Sequence, residues 1–114
     1  MHRAQGSYED GWLAKRAHFL MRRPVEANRL LIRGSVPYRF WRGLGISTRI
    51  NGQVLPERKV QRGADFELSW DLPGSSRNPL EVEVRASSAF RPSPIPFTGD
   101  RRSLSFQMKT IELQ

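Results

Sequence analysis

An antiparallel β-sandwich is the fold that the sequence of this 114-residue chain predicts. The first observation is that apolar and polar residues alternate with a period of two along most of the chain, as in strands with one buried face. The second is that turn signals rich in Gly, Pro, Asn and Asp separate these runs at intervals of roughly 8 to 14 residues. The third is the length, which fits one domain. We therefore expect about seven to eight strands in one sandwich spanning residues 10–114, preceded by an N-terminal extension of residues 1–9.

The clearest alternation lies in residues 66–72 and 80–86. The apolar positions of these two runs are, in chain order, Phe66, Leu68, Trp70, Leu72, Leu80, Val82, Val84 and Ala86. A segment containing Pro73 and Gly74 lies between the runs and supplies turn residues. We therefore predict that the two runs pair as a hairpin, and that Phe106 joins them in a common core.

Other strands are predicted by similar patterns. Asn51 and Gly52 lie between two strand-like segments, and Asn-Gly favours a type I′ hairpin turn because both of its central residues require positive φ. Two earlier runs, residues 13–21 and 30–36, each end before a proline. The last run, residues 104–113, changes phase, which predicts a β-bulge near Lys109 or Thr110.

The composition excludes several classes of chemistry. The chain has no cysteine and only two histidines, so it has no disulfide, thiolate metal site or cysteine nucleophile. His18 lies on the polar side of a predicted strand, and no phosphate-binding loop or hydrolase motif occurs. We predict a protein that is not an enzyme, with no catalytic residue, metal or cofactor. No apolar run approaches the roughly 18 residues of a membrane span, and no signal peptide is evident, so we expect a cytoplasmic protein.

The charge is basic and unevenly distributed. Sixteen of the 19 basic residues are arginine, and the formal net charge is +8. Residues 1–62 carry 13 basic and 4 acidic side chains, whereas residues 63–114 carry 6 and 7. Such asymmetry can signal a polyanion partner, but the basic residues are scattered and never form a block of five, which favours a solvated surface that aids solubility.

Two segments bring aromatic and polar residues to the ends of predicted strands. Asp10 and Trp12 precede the first strand, and a long loop carries Phe90 and ends in Asp100, Arg101 and Arg102 before the last strand. First and last strands are often neighbours in sandwiches, so these groups can meet. Aromatic rings pack against sugar rings, while carboxylate and guanidinium groups hydrogen-bond hydroxyls, so the set suits a glycan site. The structural alternative is that Trp12 and Phe90 close one end of the core.

At these residues the chain resembles the small carbohydrate-binding-like, jelly-roll β-sandwich domains that are appended to bacterial glycosyltransferases and other enzymes of surface-polysaccharide synthesis. The likeness consists of the opening Asp-Gly-Trp at residues 10–12, the Ile-Asn-Gly hairpin at residues 50–52, and the phrases at residues 86–92 and 100–105. The resemblance implies a jelly-roll-like sandwich that binds a glycan or positions a glycan-processing enzyme. Only nine residues precede Asp10, so we expect that enzyme to be a separate protein.

Three hypotheses of function follow. The first is a non-catalytic glycan-binding module in which Trp12 and Phe90 stack on sugars, with either the glycan or a glycosyltransferase-type enzyme as partner. The second is a nucleic-acid or polyanion binder, since single strands favour aromatic platforms on a basic surface. Its basic and aromatic patch consists of Tyr38, Arg39, Phe40, Trp41 and Arg42. The third is a protein-interaction or dimerisation module, indicated by Leu20 and Leu31 on faces that the alternation marks as polar. The sequence leaves the oligomeric state open.

Overall fold

The computed structural model describes residues 3–8, 10–74, 79–90 and 103–114, and these residues form an all-β sandwich of two antiparallel sheets. The described strands are β1 (Arg3–Ser7), β2 (Leu13–Met21), β3 (Arg29–Ser35), β4 (Leu44–Ile50), β5 (Gln53–Val54), β6 (Arg58–Val60), β7 (Asp65–Asp71), β8 (Leu80–Ala86) and β9 (Gln107–Leu113). The predicted all-β class is confirmed, with about nine strands instead of seven to eight. Within the described ranges there is no helix of the length and apolarity needed to cross a membrane.

The two sheets differ in size, and the chain passes repeatedly between them. The larger sheet has the order β1-β2-β8-β4-β5, with β6 also pairing with β4, and the smaller sheet has the order β7-β3-β9. The predicted hairpin between residues 66–72 and 80–86 is therefore wrong: β7 is at an edge of the smaller sheet, and β8 lies between β2 and β4 in the larger one. Alternation identifies which face of a strand is buried but not which strand lies beside it, so two such runs can equally face each other across a core.

The core lies between the inward faces of these sheets. Trp70 is 2% exposed and shares one cluster with Val82, Val84 and Phe106, while Phe66 and other partly buried residues pack against the cluster. This confirms the predicted inward faces of both runs. Trp70 also donates a hydrogen bond from Nε1 to the carbonyl oxygen of Pro56, at 2.7 Å, which ties the smaller sheet to the segment between β5 and β6.

The Asn-Gly hairpin is confirmed. Asn51 has φ 48° and Gly52 has φ 89°, which is the pair of positive values that a type I′ turn requires. The returning arm is interrupted, since β5 and β6 pair separately with β4 on either side of a segment that contains Pro56. Proline has no N–H to donate to a ladder, so a break there is expected.

The bulge in the last strand is also confirmed. Arg33 pairs with Thr110 while the next residue, Gly34, pairs with Met108, so Lys109 is the extra residue. A Cβ at position 34 would collide with the carbonyl oxygen of Gln107. Glycine at this position therefore allows β9 to approach β3 closely beside the bulge.

Two other features differ from what the sequence predicts: the structure of the N-terminal residues and the exposure of Leu20 and Leu31. Residues 3–7, which the sequence analysis assigned to an N-terminal extension, form edge strand β1 against β2. Leu31, on the outer face of the smaller sheet, is only 5% exposed, and Leu20 is half-buried. Leu31 is therefore not the exposed apolar residue that the dimerisation hypothesis expected.

Candidate functional site

The connection from β3 to β4 consists of two successive turns that present two large aromatic rings to solvent. The Phe40 N–H donates to the Pro37 carbonyl at 3.3 Å, and the Gly43 N–H donates to the Phe40 carbonyl at 2.8 Å. Phe40 is buried at the junction of the turns, whereas Tyr38 is 67% exposed and Trp41 is 76% exposed. The Phe40 side chain therefore anchors the loop in the core while its aromatic neighbours point outward.

The turn from β6 to β7 lies against this loop. The Gly63 N–H donates to the Val36 carbonyl at 2.9 Å, and the Val36 N–H donates to the Ala64 carbonyl at 3.0 Å. Gly63 has φ 70°, and a Cβ at this position would lie only 2.5 Å from the ring of Tyr38. Glycine is thus required here both by the backbone conformation and by the packing of Tyr38.

Arg62, in the same turn, stacks on both exposed rings. Its guanidinium carbon lies 4.4 Å from the ring centre of Tyr38 and 4.1 Å from that of Trp41. Both distances are within the range of cation–π interactions. Sequence reasoning did not identify Arg62, because only the tertiary structure brings residues 61–64 beside residues 37–43. A basic residue within a turn was the only signal in the sequence.

The predicted glycan site and the predicted basic and aromatic patch meet at Phe90. Its ring contacts Trp12 edge to face, with ring centres 5.7 Å apart, and contacts Phe40 in a similar geometry at 5.6 Å. The guanidinium carbon of Arg39 lies 4.2 Å from the centre of the Phe90 ring. Phe90 therefore joins the described part of the predicted glycan site and the predicted basic and aromatic patch into one surface.

Backbone pairing fixes the position of Trp12 and Phe90. Phe90 exchanges two hydrogen bonds of 2.7 Å with Leu104, and Trp12 forms an isolated bridge with Gln107. The Asp10 carboxylate accepts a hydrogen bond of 3.4 Å from the Trp12 N–H, as is typical of an aspartate in a turn. Trp12 and Phe90 are both half-buried: their contact with each other covers part of both rings, and Arg39 also covers part of Phe90.

The remaining residues of the predicted glycan site, Asp100, Arg101 and Arg102, lie outside the described residues. The structure therefore places only Asp10, Trp12 and Phe90 of that set.

We call the resulting region the aromatic end surface. It consists of the exposed Tyr38, Arg39, Trp41 and Arg42, the half-buried Trp12, Arg62 and Phe90, and the buried Phe40 beneath them. Within the described ranges, no carboxylate forms an ion pair with Arg39, Arg42 or Arg62. Arginine is always charged near neutral pH, so this surface is cationic as well as aromatic. Among the described residues, no three or more His, Asp or Glu side chains gather as a metal site would require.

Comparison of the chain with protein-family models, curated proteins and solved structures gives no match.

Proposed function

We propose that this protein is a non-catalytic binding domain that holds a glycan on the aromatic end surface. In this proposal Trp41 and Tyr38 stack on the faces of sugar rings, while Arg39 and Arg62 donate hydrogen bonds to hydroxyl or carboxylate groups. By holding the glycan, the domain positions a glycan-processing enzyme on its substrate. The observation that carries the proposal is the exposure of two large rings, 67% and 76%, on one short loop.

The two rings are informative because they are largely exposed and are also held in place. Burying a tryptophan or tyrosine is strongly favourable, so two neighbouring rings left in water on a folded domain support the proposal that a ligand covers them. The rings are also held in place, Tyr38 by Gly63 and both rings by Arg62. A surface that is ordered before binding loses less conformational entropy when the ligand arrives.

The aromatic residues have different roles here from those that the sequence predicted for them. Stacking moves from Trp12 and Phe90 to Tyr38 and Trp41, because the first pair is half-buried and the second is exposed. Trp12 and Phe90 instead support the loop from below through the contact between Phe90 and Phe40. The resemblance to glycosyltransferase-associated domains supports the same class of ligand.

A single-stranded nucleic acid is the second candidate, and the stacking of arginines on aromatic rings favours it. The Arg62 guanidinium lies over two rings and the Arg39 guanidinium over a third, an arrangement suited to bases and phosphates together. Salt distinguishes the two ligands. If three arginines engage three phosphates of a single strand, affinity falls by about 20-fold between roughly 50 and 200 mM salt, whereas binding of a neutral glycan barely changes.

A glycan array followed by titration of the best ligand tests the first proposal. Trp41→Ala and Tyr38→Ala are each expected to weaken binding by about tenfold, given the usual contribution of one aromatic contact. The control is Val54→Ala, which removes apolar surface that is 64% exposed on β5. Val54→Ala is expected to bind as the unaltered protein does.

Unchanged affinity in Trp41→Ala would show that the ligand does not stack on this surface. A different outcome would identify a nucleic acid as the ligand: no glycan binds, and a poly-dT oligonucleotide binds in a salt-dependent way that Trp41→Ala abolishes.

A further inference from the structure

We propose that the outer face of the larger sheet carries a binding site for a phosphate-sized oxyanion, centred on Arg16 of β2 and Arg85 of β8. The site uses residues other than those of the aromatic end surface and does not depend on the function proposed there.

The first observation is a like-charge pair. Arg16 and Arg85 lie directly opposite each other in the register of β2 and β8, and Ser47 of β4 lies opposite Arg85 on its other side. Side chains opposite each other across a ladder are within reach of one another, and like charges there destabilise the sheet. An anion held between the two guanidinium groups would remove this repulsion.

The second observation is that one of the two arginines is already oriented. Glu83, two residues earlier on β8, forms an ion pair from Oε1 to Nε of Arg85, and its Oε2 lies 3.7 Å from Nε2 of His18. The Glu83 side chain is 13% exposed, whereas that of Arg85 is 39% exposed. The ion pair engages Nε of Arg85, and because Arg85 is more exposed than Glu83, an anion can approach the guanidinium from solvent.

Cationic charge exceeds the local acidic charge. Arg49 of β4 lies opposite Glu83, and its Nε is buried without a hydrogen-bond partner among the described residues. The single carboxylate of Glu83 therefore lies beside two arginines, its ion-pair partner Arg85 and its register partner Arg49. Within the described residues, Arg16 has no carboxylate partner of its own.

The third observation is a concavity of about 530 Å³ at this place. It is lined by Lys15, Arg16, Ser47, Glu57, Arg85, Ala86 and Ser87. Three of these side chains are cationic and two carry hydroxyl groups, which are the donors that bind phosphate oxygens. Glu57 is the one carboxylate among the lining residues, and it lies against the backbone of Gly45.

Titration with inorganic phosphate at low ionic strength, followed by isothermal calorimetry and by backbone amide chemical shifts, tests the site. Saturable binding is expected, with shifts at residues 15–16, 47 and 85–87. Arg16→Gln is expected to weaken it by at least tenfold, because one of the two guanidinium groups is lost. Arg16→Lys keeps the charge but loses the planar pair of donors, so an intermediate loss of about three- to fivefold is expected.

Two further variants separate a built site from general charge attraction. Arg33→Gln lowers the net charge equally, but Arg33 forms an ion pair with Glu67 on the smaller sheet, so phosphate affinity should be unchanged. Glu57→Gln removes the opposing carboxylate and should strengthen binding by about threefold to tenfold. Equal weakening in Arg16→Gln and Arg33→Gln, or no saturable binding at all, would overturn the proposal.

Thermal unfolding guards against a loss of binding through misfolding. Without phosphate, Arg16→Gln should unfold at the same temperature as the unaltered protein or higher, because the like-charge pair is gone. Clear destabilisation of Arg16→Gln would show that the pair serves the fold, and would overturn the proposal.

A second titration with glucose 1-phosphate distinguishes the source of the anion. Tighter binding than inorganic phosphate identifies an esterified phosphate as the ligand, and weaker binding identifies the free ion.

Discussion

Replacing Trp70 with alanine is expected to be among the most destabilising single changes in this protein. The side chain is 2% exposed at the centre of the core, and its Nε1 donates to the Pro56 carbonyl across the two sheets. Truncation removes the indole, leaves a cavity and deprives that carbonyl of its donor, for a cost of about 3 to 5 kcal/mol. This cost is a large part of the total stability of such a domain, about 5 to 15 kcal/mol. At about 4 °C for each kcal/mol, Trp70→Ala should lower the melting temperature by roughly 12 to 20 °C.

The matched control is Trp41→Ala, which deletes the same side chain at a position that is 76% exposed. Its cost should be about 1 kcal/mol or less, mainly the lost contact with Arg62. Urea unfolding followed by far-ultraviolet circular dichroism measures both variants without relying on tryptophan fluorescence. Similar free energies of unfolding for the two variants would refute the assignment of Trp70 to the core and, with it, the inward face of β7.

Three further changes test particular positions. Gly52→Val should cost about 1 to 2 kcal/mol in urea unfolding because φ of Gly52 is 89°. Gly74→Val is the control: a Cβ at either position meets no atom within 4 Å, but Gly74 lacks the positive φ, so this variant should cost clearly less. Equal costs would contradict the type I′ turn. Thr48→Val should raise the free energy of unfolding by about 1 kcal/mol, because Thr48 is 1% exposed and its Oγ1 has no hydrogen-bond partner among the described residues; a loss of stability would show that the hydroxyl is bonded. Gly34→Ala should cost about 1 to 3 kcal/mol, because the new methyl group collides with the Gln107 carbonyl, and a neutral melting temperature would argue against the close approach of β9.

The sequence by itself determined the features that depend on local chemistry. The period-two alternation identified the inward faces of β7 and β8, since successive side chains of a strand point to opposite sides whatever its neighbours are. Asn51 and Gly52 specified their turn because few other residues tolerate positive φ. The change of phase predicted a bulge near Lys109 or Thr110, since an extra residue shifts every later side chain to the other face, and the structure has it at Lys109.

Strand partners and the assembly of the candidate site were decided only by the tertiary structure. Alternation is the same whether β7 and β8 pair edge to edge or face each other across the core, and the packing of two complete sheets selects the second arrangement. The assembly of the candidate site could not be predicted from local sequence patterns either. Arg62 lies more than 20 residues from Tyr38 and Trp41 in sequence, and it reaches both rings because the β3–β4 and β6–β7 connections meet at one end of the sandwich. No local pattern encodes that meeting, because it results from many weak contacts distributed over both sheets.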